Sequence, residues 1–479
     1  MITVLFESLN AWWPETLLSL GALAVIVCGV SFHRPRVTVA LAWVFVLAAG
    51  VSLWRVQVPP PTGVFFGLIV CDGFSLAFRW FALGTVALTL LLAGSSEEFP
   101  ADARGEWLGL VLFTGVGLMA MAEANHLLMA YLSMELVSLS SYLLVGAPRD
   151  ARSAEAALKY LLFGALSSGI MLFGMSLLFG LTGTLEFPAL RLAVDGLGGP
   201  MHNALLVAVA LLLAGVAFKV SMVPFHMWTP DAYEGAPVAV AAMLSVGPKA
   251  AALALLARLL ETLQPEWPAV EPLLLTLTVA TMTWGNLAAL TQTNVKRLLA
   301  YSTIAQAGYL LIGLATGAPV GREALLVYLA AYLFMNFGAF ACVAAVVEAT
   351  GSESLDAFRG LARRSPALAL AAVVFFLSLA GLPPLFGFIG KLYLFRSALE
   401  SGLPGLAVAA AVNSAIALYY YVNLVRIMYV SAPADNAPVR LMPSVSLALS
   451  VCAGATLLFG LFPGDLLAAV SLGAAASLL

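Results

Sequence analysis

Long apolar runs dictate what this chain can become. Fourteen of them, each close to or longer than the roughly 17–25 residues that cross a hydrocarbon core, occupy 12–31, 37–54, 73–94, 107–122, 125–146, 156–182, 203–229, 236–260, 271–291, 297–316, 323–348, 366–398, 404–430 and 443–476. Such runs fold as helices, because a helix satisfies its own backbone polar groups where no water can. The expectation is an all-α polytopic membrane protein. Its basic residues are placed selectively. Lys219, Lys249 and Lys391 lie within the runs, whereas nearly every arginine falls in a connecting loop. A lysine at mid-bilayer costs about 2.5–3.5 kcal/mol on insertion scales, so three cost roughly 8–10 kcal/mol. Lysine, unlike arginine, can release its proton when desolvated. The pattern points to proton movement.

The chain is 62% hydrophobic and 10% charged, which excludes a soluble fold and a nucleic-acid partner. Cys28, Cys71, Cys342 and Cys452 are scattered through apolar segments without CxxC spacing. They read as small core residues, not as a disulfide framework, a zinc site or iron–sulfur ligands. Of His33, His126, His202 and His226, no two share a run at ligand spacing, so neither haem nor any other cofactor is expected here. The first run follows Glu7 and Glu15 with no basic leader or small-residue cleavage site, and reads as a retained helix.

Basic residues set the orientation. The loops after odd-numbered runs, with their flanks, hold thirteen, including Arg149, Arg152, Lys159, Lys296, Arg297, Arg359, Arg363 and Arg364. The opposite side holds five: Arg55, Arg191, Arg258, Arg322 and Arg396. Odd-numbered loops are therefore expected in the cytoplasm of a bacterial cell, with both termini outside its inner (plasma) membrane.

Two runs contain interior prolines, which remove a backbone hydrogen bond and clash with the preceding turn. The seventh reads KVSMVPFHMWTP around Pro224, and the twelfth LAGLPPLFGFIGKLYLF around Pro383 and Pro384. They are five runs apart, so they cross in opposite directions. Runs 4–8 and 9–13 are then two inverted five-helix units, each with a broken fourth helix, a transporter architecture. The expected organisation is 1–106 (helices 1–3), 107–260 (first half), 271–430 (inverted second half) and 443–479 (helix 14).

Glu135 lies about ten residues into the fifth run, roughly 15 Å deep at 1.5 Å per residue. Lys219 and Lys249 share that depth, and Lys391 is displaced outward. Glu135 is a natural partner for Lys219, because a nearby carboxylate favours the charged lysine while burial disfavours it. Moving that carboxylate, or its proton, would switch the lysine. A static ion pair that fixes packing is the alternative. Ser221, Ser245, Asn336, Tyr419 and Tyr420 are candidates to solvate the charges, and His226 is a candidate relay. Asp72 reads as an N-cap. Asp231 and Glu234 belong to the inner loop after the seventh run, and Arg79 has no assigned partner.

These residues resemble a known family. The stretches YLSMELVSLSSYLLVG, AFKVSMVPFHMWTPDAYEGAP, SVGPKAAALALLAR, NVKRLLAYSTIAQAGYLLIG and FRGLARRSPALALAAVVFFLSLAGLPPLFGFIGKLYLF are similar to the antiporter-like membrane subunits of proton-translocating NADH:quinone oxidoreductase, complex I. The resemblance implies a fourteen-helix proton-channel module in which Glu135, Lys219, Lys249 and Lys391 carry protons. Sister type M has a glutamate at the place of Lys391, and the largest sister, L, has a long C-terminal extension not seen here. The family further implies that NADH, flavin, iron–sulfur clusters and quinone are handled by partner subunits, and that membrane neighbours include M and the small subunit K. An Mrp-type or stand-alone cation/proton antiporter, and a passive scaffold, are the competing functions. One mid-membrane carboxylate against three lysines suits a hard cation poorly.

Overall fold

The structure, a computed structural model, describes residues 8–32, 34–56, 62–94, 96–100, 102–197, 200–433 and 437–474; Glu7 and His33 lie outside them. The chain is a polytopic membrane protein built almost wholly of helices. They are α1 (Trp13–Phe32), α2 (Pro35–Arg55), α3 (Gly73–Ala93), α4 (Arg104–Glu123), α5 (Leu127–Val145), α6 (Ala151–Thr182), α7 (Phe187–Asp195), α8 (Pro200–Val220), α9 (Trp228–Gly235), α10 (Val238–Thr262), α11 (Trp267–Ala289), α12 (Val295–Ala315), α13 (Pro319–Thr350), α14 (Leu361–Arg364), α15 (Pro366–Ala380), α16 (Phe386–Glu400), α17 (Pro404–Val430), α18 (Pro443–Leu461) and α19 (Gly464–Ala474). Among the described residues, twelve helices are long and apolar enough to cross a membrane. Of the fourteen expected runs, two are not in that set. The run at 271–291 becomes α11, whose Glu271, Thr276, Thr278, Thr281, Thr283 and Asn286 dilute its apolar character, and the run at 366–398 divides into α15 and α16.

Other details depart from expectation. A two-stranded hairpin, β1 (Thr62–Val64) with antiparallel β2 (Ile69–Cys71), precedes α3. The last run, expected as one helix over 443–476, stops at Leu461 and restarts at Gly464, because Pro463 has no N–H to continue the ladder.

The centre of the molecule is α10, which packs against α3, α4, α5, α8, α12 and α13 and is buried along its whole apolar window. Buried on all sides, it must be apolar all round, and its sequence from Val238 to Leu260 is so apart from Ser245, Lys249 and Arg258. By contrast α6 turns Leu158, Leu162, Leu166, Phe173 and Phe179 outward, as a lipid-facing helix should.

One local pattern occurs twice. Asn125 and Leu127, entering α5, exchange backbone hydrogen bonds with Phe187 and Leu185, beyond α6. Thr293 and Val295, entering α12, do the same with Leu355 and Glu353, beyond α13. Both α6 and α13 are 32 residues long, and each ends at a left-handed glycine, Gly183 (φ 71°) or Gly351 (φ 66°). Glycine suits these positions because it carries no Cβ to clash.

Candidate functional site

The seventh run breaks where its sequence dictates. Helix α8 ends at Val220, and Ser221 takes a left-handed φ of 67°. Pro224 follows, and α9 begins at Trp228. A broken helix frees carbonyls that need donors. Here the Trp228 indole donates to Phe218 O at 3.1 Å, and Met222 N donates to Ala217 O at 2.8 Å. On the other strand of the break, Val223 N donates to the Thr281 hydroxyl of α11 at 3.0 Å.

Lys219 occupies the last turn of α8 and is fully buried. Its Nζ donates to Ser138 Oγ of α5 at 2.9 Å and lies 6.0 Å from the Tyr160 ring of α6. The expected partner, Glu135, is one turn earlier on α5, half-buried, and accepts from the Ser168 hydroxyl of α6. Residues three apart on a helix are neighbours, so Glu135 borders Lys219. Yet Glu135 does not pair with it, because Ser138 fills the near position.

Lys249 follows Pro248 inside α10. Proline offers no N–H to the carbonyl four residues back, which here is Leu244 O. That freed carbonyl lies 3.4 Å from the Lys249 Nζ, which also donates to Tyr233 Oη of α9 at 2.8 Å. The ammonium faces the rings of Trp228 and Tyr233 at 5.5 and 5.3 Å. Trp228 in turn stacks on Tyr160 at 4.1 Å. An aromatic wall, Tyr160–Trp228–Tyr233, therefore stands between Lys219 and Lys249.

Lys391 belongs to α16 but reaches back across the second break. Its Nζ donates to Ala380 O, the last carbonyl of α15, and to Ser414 Oγ of α17, both at 2.9 Å, with the Tyr309 ring 4.6 Å away. A cation at a helix C-terminus is favoured by the dipole as well as by the free carbonyl. Among the described residues, none of these three buried lysines has a carboxylate within ion-pair distance, while buried arginines do.

The remaining candidates divide. Asn336 donates to Ser245 Oγ between α13 and α10, and Ser221 accepts from Thr229 at 2.9 Å. Tyr420 is buried and donates to Asn286 at 3.1 Å. Tyr419 is 67% exposed, which removes it from the interior. His226 sits in the α8–α9 break, edge-on to Trp284 at 6.0 Å, with its Nδ1 buried and unpaired and no hydrogen bond to either lysine. Asp72 is the N-cap of α3, closing a capping box with Ser75, and also accepts from Arg258 at 2.9 Å. Arg79 has partners after all: Glu15 of α1 and Glu123 of α4.

Sequence reasoning missed two polar assemblies. The first joins α12, α13 and α17: Tyr332 donates to Thr303 at 3.2 Å, Tyr328 to Gln306, and Gln306 to Tyr421 at 3.3 Å, all buried. The second is an ionic clamp around α9. Arg297 pairs with Asp231 and Glu234 at 2.7 Å, Lys159 with Asp231 at 3.0 Å, and Arg152 with Glu234 at 3.2 Å. Glu353 holds Lys296 at 2.9 Å and also Arg152. Asp231 and Glu234 are thus held in place on a helix, not loose in a loop. Burial alone would raise the Glu353 carboxyl, but Lys296, Arg152 and Asn294 against it hold it below its usual value. Among the described residues no three His, Cys, Asp or Glu side chains gather as metal ligands.

Comparison with known proteins adds the family. The family described as NADH:quinone oxidoreductase/Mrp antiporter, TM, matches residues 124–417. The chain is 42% identical to NADH-quinone oxidoreductase subunit N of Anaeromyxobacter sp. (strain Fw109-5), across 95% of this chain and 94% of that protein. It superposes on a chain of respiratory complex I from Thermus thermophilus with a TM-score of 0.81 and 34% identity, covering 95% of this chain and 98% of that one. A chain of the Mrp complex from Dietzia sp. DQ12-45-1b shares the fold at 24% identity, with a TM-score of 0.82 and coverage of 98% and 97%.

Proposed function

The chain belongs to the NADH:quinone oxidoreductase/Mrp antiporter family, and we propose that Glu135, Lys219, Lys249 and Lys391 form the row along which it moves protons. It is a proton-translocating membrane subunit of NADH:quinone oxidoreductase, one part of a multi-subunit membrane complex. The observation that carries the site reading is the solvation of the lysines. Each ammonium is buried and held only by hydroxyls and carbonyls. A buried charge without a counter-charge depends on whatever charge next approaches or leaves it. A proton can therefore be held or released as neighbouring charges change, which a tight ion pair would prevent.

Glu135 is the natural modulator of Lys219, acting past Ser138. Lys219 at its half-helix end passes its charge state to Lys249 across the aromatic wall, and Lys391 faces the tyrosine-rich second half. Swinging Tyr233 or Ser138 hydroxyls, with water, would complete the transfers. His226 serves as an access group from the α8–α9 break. The twice-occurring α5–α6 and α12–α13 pattern, with a break following each, supports two inverted units over 107–260 and 271–430. The redox groups, NADH, flavin, iron–sulfur clusters and quinone, belong to partner subunits in this reading. Sister subunit M and small subunit K are the neighbours, both termini face outward, and the complex sits in the bacterial inner membrane.

Proton pumping and quinone reductase activity measured together in membranes carrying Lys249→Met test the row. An assembled complex with wild-type pumping and turnover would remove Lys249 from it.

A further inference from the structure

Away from the lysine row, a second set of charges is buried between α1, α3 and α4, under the β1–β2 hairpin. Arg79, Glu15 and Glu123 have side chains no more than 1% exposed. Arg79 donates from Nε to Glu15 Oε1 at 2.7 Å and from Nη2 to Glu15 Oε2 at 2.6 Å. Glu123 Oε1 lies 3.0 Å from the same Nε. One nitrogen with one hydrogen thus faces oxygens of two carboxyl groups, and Glu15 already takes that hydrogen. Arg79 is further engaged by Ala11 O at 3.0 Å.

Glu123 has poorer company. The Trp12 indole donates to its Oε2 at 3.0 Å, and Cys71 Sγ of β2 is 4.0 Å from its Oε1. Burial, with Glu123 beside it, pushes the Cys71 thiol well above its ordinary range, so it stays neutral. The other charges nearby cancel each other. Asp72, at the head of α3, pairs with Arg258 of α10, which also donates to Ala122 O at 2.8 Å. Two carboxyl groups therefore share one guanidinium among fully buried side chains. Each carboxylate disfavours charge on the other, and one guanidinium offsets only one of them, so the pair is placed to hold one proton between them.

We propose that Glu15 and Glu123 form a proton-binding site that carries one shared proton, with Arg79 as counter-charge to the remaining negative charge. Glu123 is its more frequent resting place, since Glu15 takes the guanidinium hydrogens. The ligand is a proton, and the site is separate from the four residues of the lysine row.

Glutamine is a neutral isostere of a protonated glutamate, so Glu15→Gln and Glu123→Gln each leave one carboxylate opposite Arg79. In the purified complex each single variant is expected to assemble like wild type. Each is expected to lose one protonated carboxyl from the infrared spectrum, seen as a missing, D2O-sensitive C=O band. The double variant strands Arg79 and is expected not to assemble. Should one single variant fold poorly, the other carries the readout. A band of full strength in the single variants, or loss of assembly in both, would overturn the site. The band reports Glu15 and Glu123 whatever the lysines do, so failure here leaves the lysine row standing, and the reverse.

Discussion

The two broken helices solve one problem with different residues. Each ends its first half in a left-handed residue, Ser221 (φ 67°) in one and Gly381 (φ 89°) in the other. At the first break Lys219 sits before the turn and points to Ser138 on α5. The Ser221 hydroxyl accepts from Thr229. At the second break Lys391 comes after the turn and runs back over it to Ala380 O. A Cβ at 381 would lie 2.7 Å from Lys391 Cδ. The surroundings differ as well. Lys219 and Lys249 face Tyr160, Trp228 and Tyr233, whereas beyond Lys249 buried tyrosines, Gln306, Asn286 and Thr303 bond to one another. Each lysine meets a ring and a hydroxyl, Lys391 included, and the second half adds a buried polar network. Equivalent backbone geometry thus leaves the chemistry of each lysine to a few side chains.

The largest expected effect on pumping compares the two halves directly. Lys249→Met and Lys391→Met each remove a buried charge that no carboxylate pairs, so both should assemble. If both lysines belong to one row, proton pumping should fall roughly tenfold or more in each, equivalent to about 1.4 kcal/mol of added barrier per tenfold. Pumping that survives one substitution and not the other would separate the halves into active and passive.

Next comes the ionic clamp that ties the halves together. Glu353, beyond α13, holds Lys296 of α12, which is 2% exposed, as well as Arg152 of α6. Glu353→Gln leaves Lys296 charged without its partner, and breaking such a pair costs about 3 kcal/mol or more. Thermal stability of the assembled complex should fall accordingly. The sign with pH follows from the depressed Glu353 carboxyl. Its contribution is complete above the ordinary value of 4.5 and is lost as pH falls through the lower folded value. The variant should therefore be less sensitive than wild type to acid between the ordinary value of 4.5 and the lower folded one. Equal acid sensitivity would mean the clamp does not join the halves.

A smaller effect tests the two turns. Gly381→Ala forces a side chain into the left-handed region at about 1–2 kcal/mol and also pushes on Lys391. Ser221→Gly relieves that same strain but loses the Thr229 contact, worth about 1 kcal/mol, and should be close to neutral. Pumping and stability should both drop for Gly381→Ala and for neither with Ser221→Gly. The reverse ranking would contradict the way Lys391 crosses its turn.

Parts of this were legible in the sequence and parts were not, for physical reasons. The lysines, the two breaks and the Asp72 cap follow from local rules about proline, burial and capping, and these need no knowledge of neighbours. Which face of a helix points inward is a different matter when every face is apolar. Tyr419 and Tyr420 are adjacent on α17, yet one is 67% exposed and the other buried. Nothing in the surrounding alanines, leucines and valines distinguishes them. Partners distant in sequence were equally hidden. Arg79 needs Glu15 and Glu123, Asp72 needs Arg258, and Arg152 needs Glu353, and none of these pairs has a helical spacing. Glu135 and Lys219 were expected to pair because Glu135 is the carboxylate that shares the lysine's depth. Two serines, Ser138 and Ser168, were the nearer partners, and a serine in an apolar helix carries no sign of what it will face.

The smallest expected effect concerns that last pair and decides whether the first half works as a switch. Groups in direct contact couple by about 0.5–3 kcal/mol in a double-mutant cycle, while distant ones add to within roughly 0.3–0.5 kcal/mol. Lys219 bonds Ser138, and Glu135 lies one turn away on the same helix, bonded to Ser168. The coupling between Glu135→Gln and Lys219→Met should therefore sit at the low end of the contact range, near 0.5 kcal/mol in pumping rate. It should run in the direction where the double change costs less than the two single ones together. Ser138→Ala removes the group between them and leaves the lysine only the carboxylate to turn to, so the coupling should grow in that background. Additive losses with Ser138 present and absent would show that Glu135 does not govern Lys219. Full recovery of pumping in the double variant would show that the two residues serve packing alone. Growth of the coupling on removing the serine hydroxyl is the outcome that only a charge switch held apart by Ser138 would give.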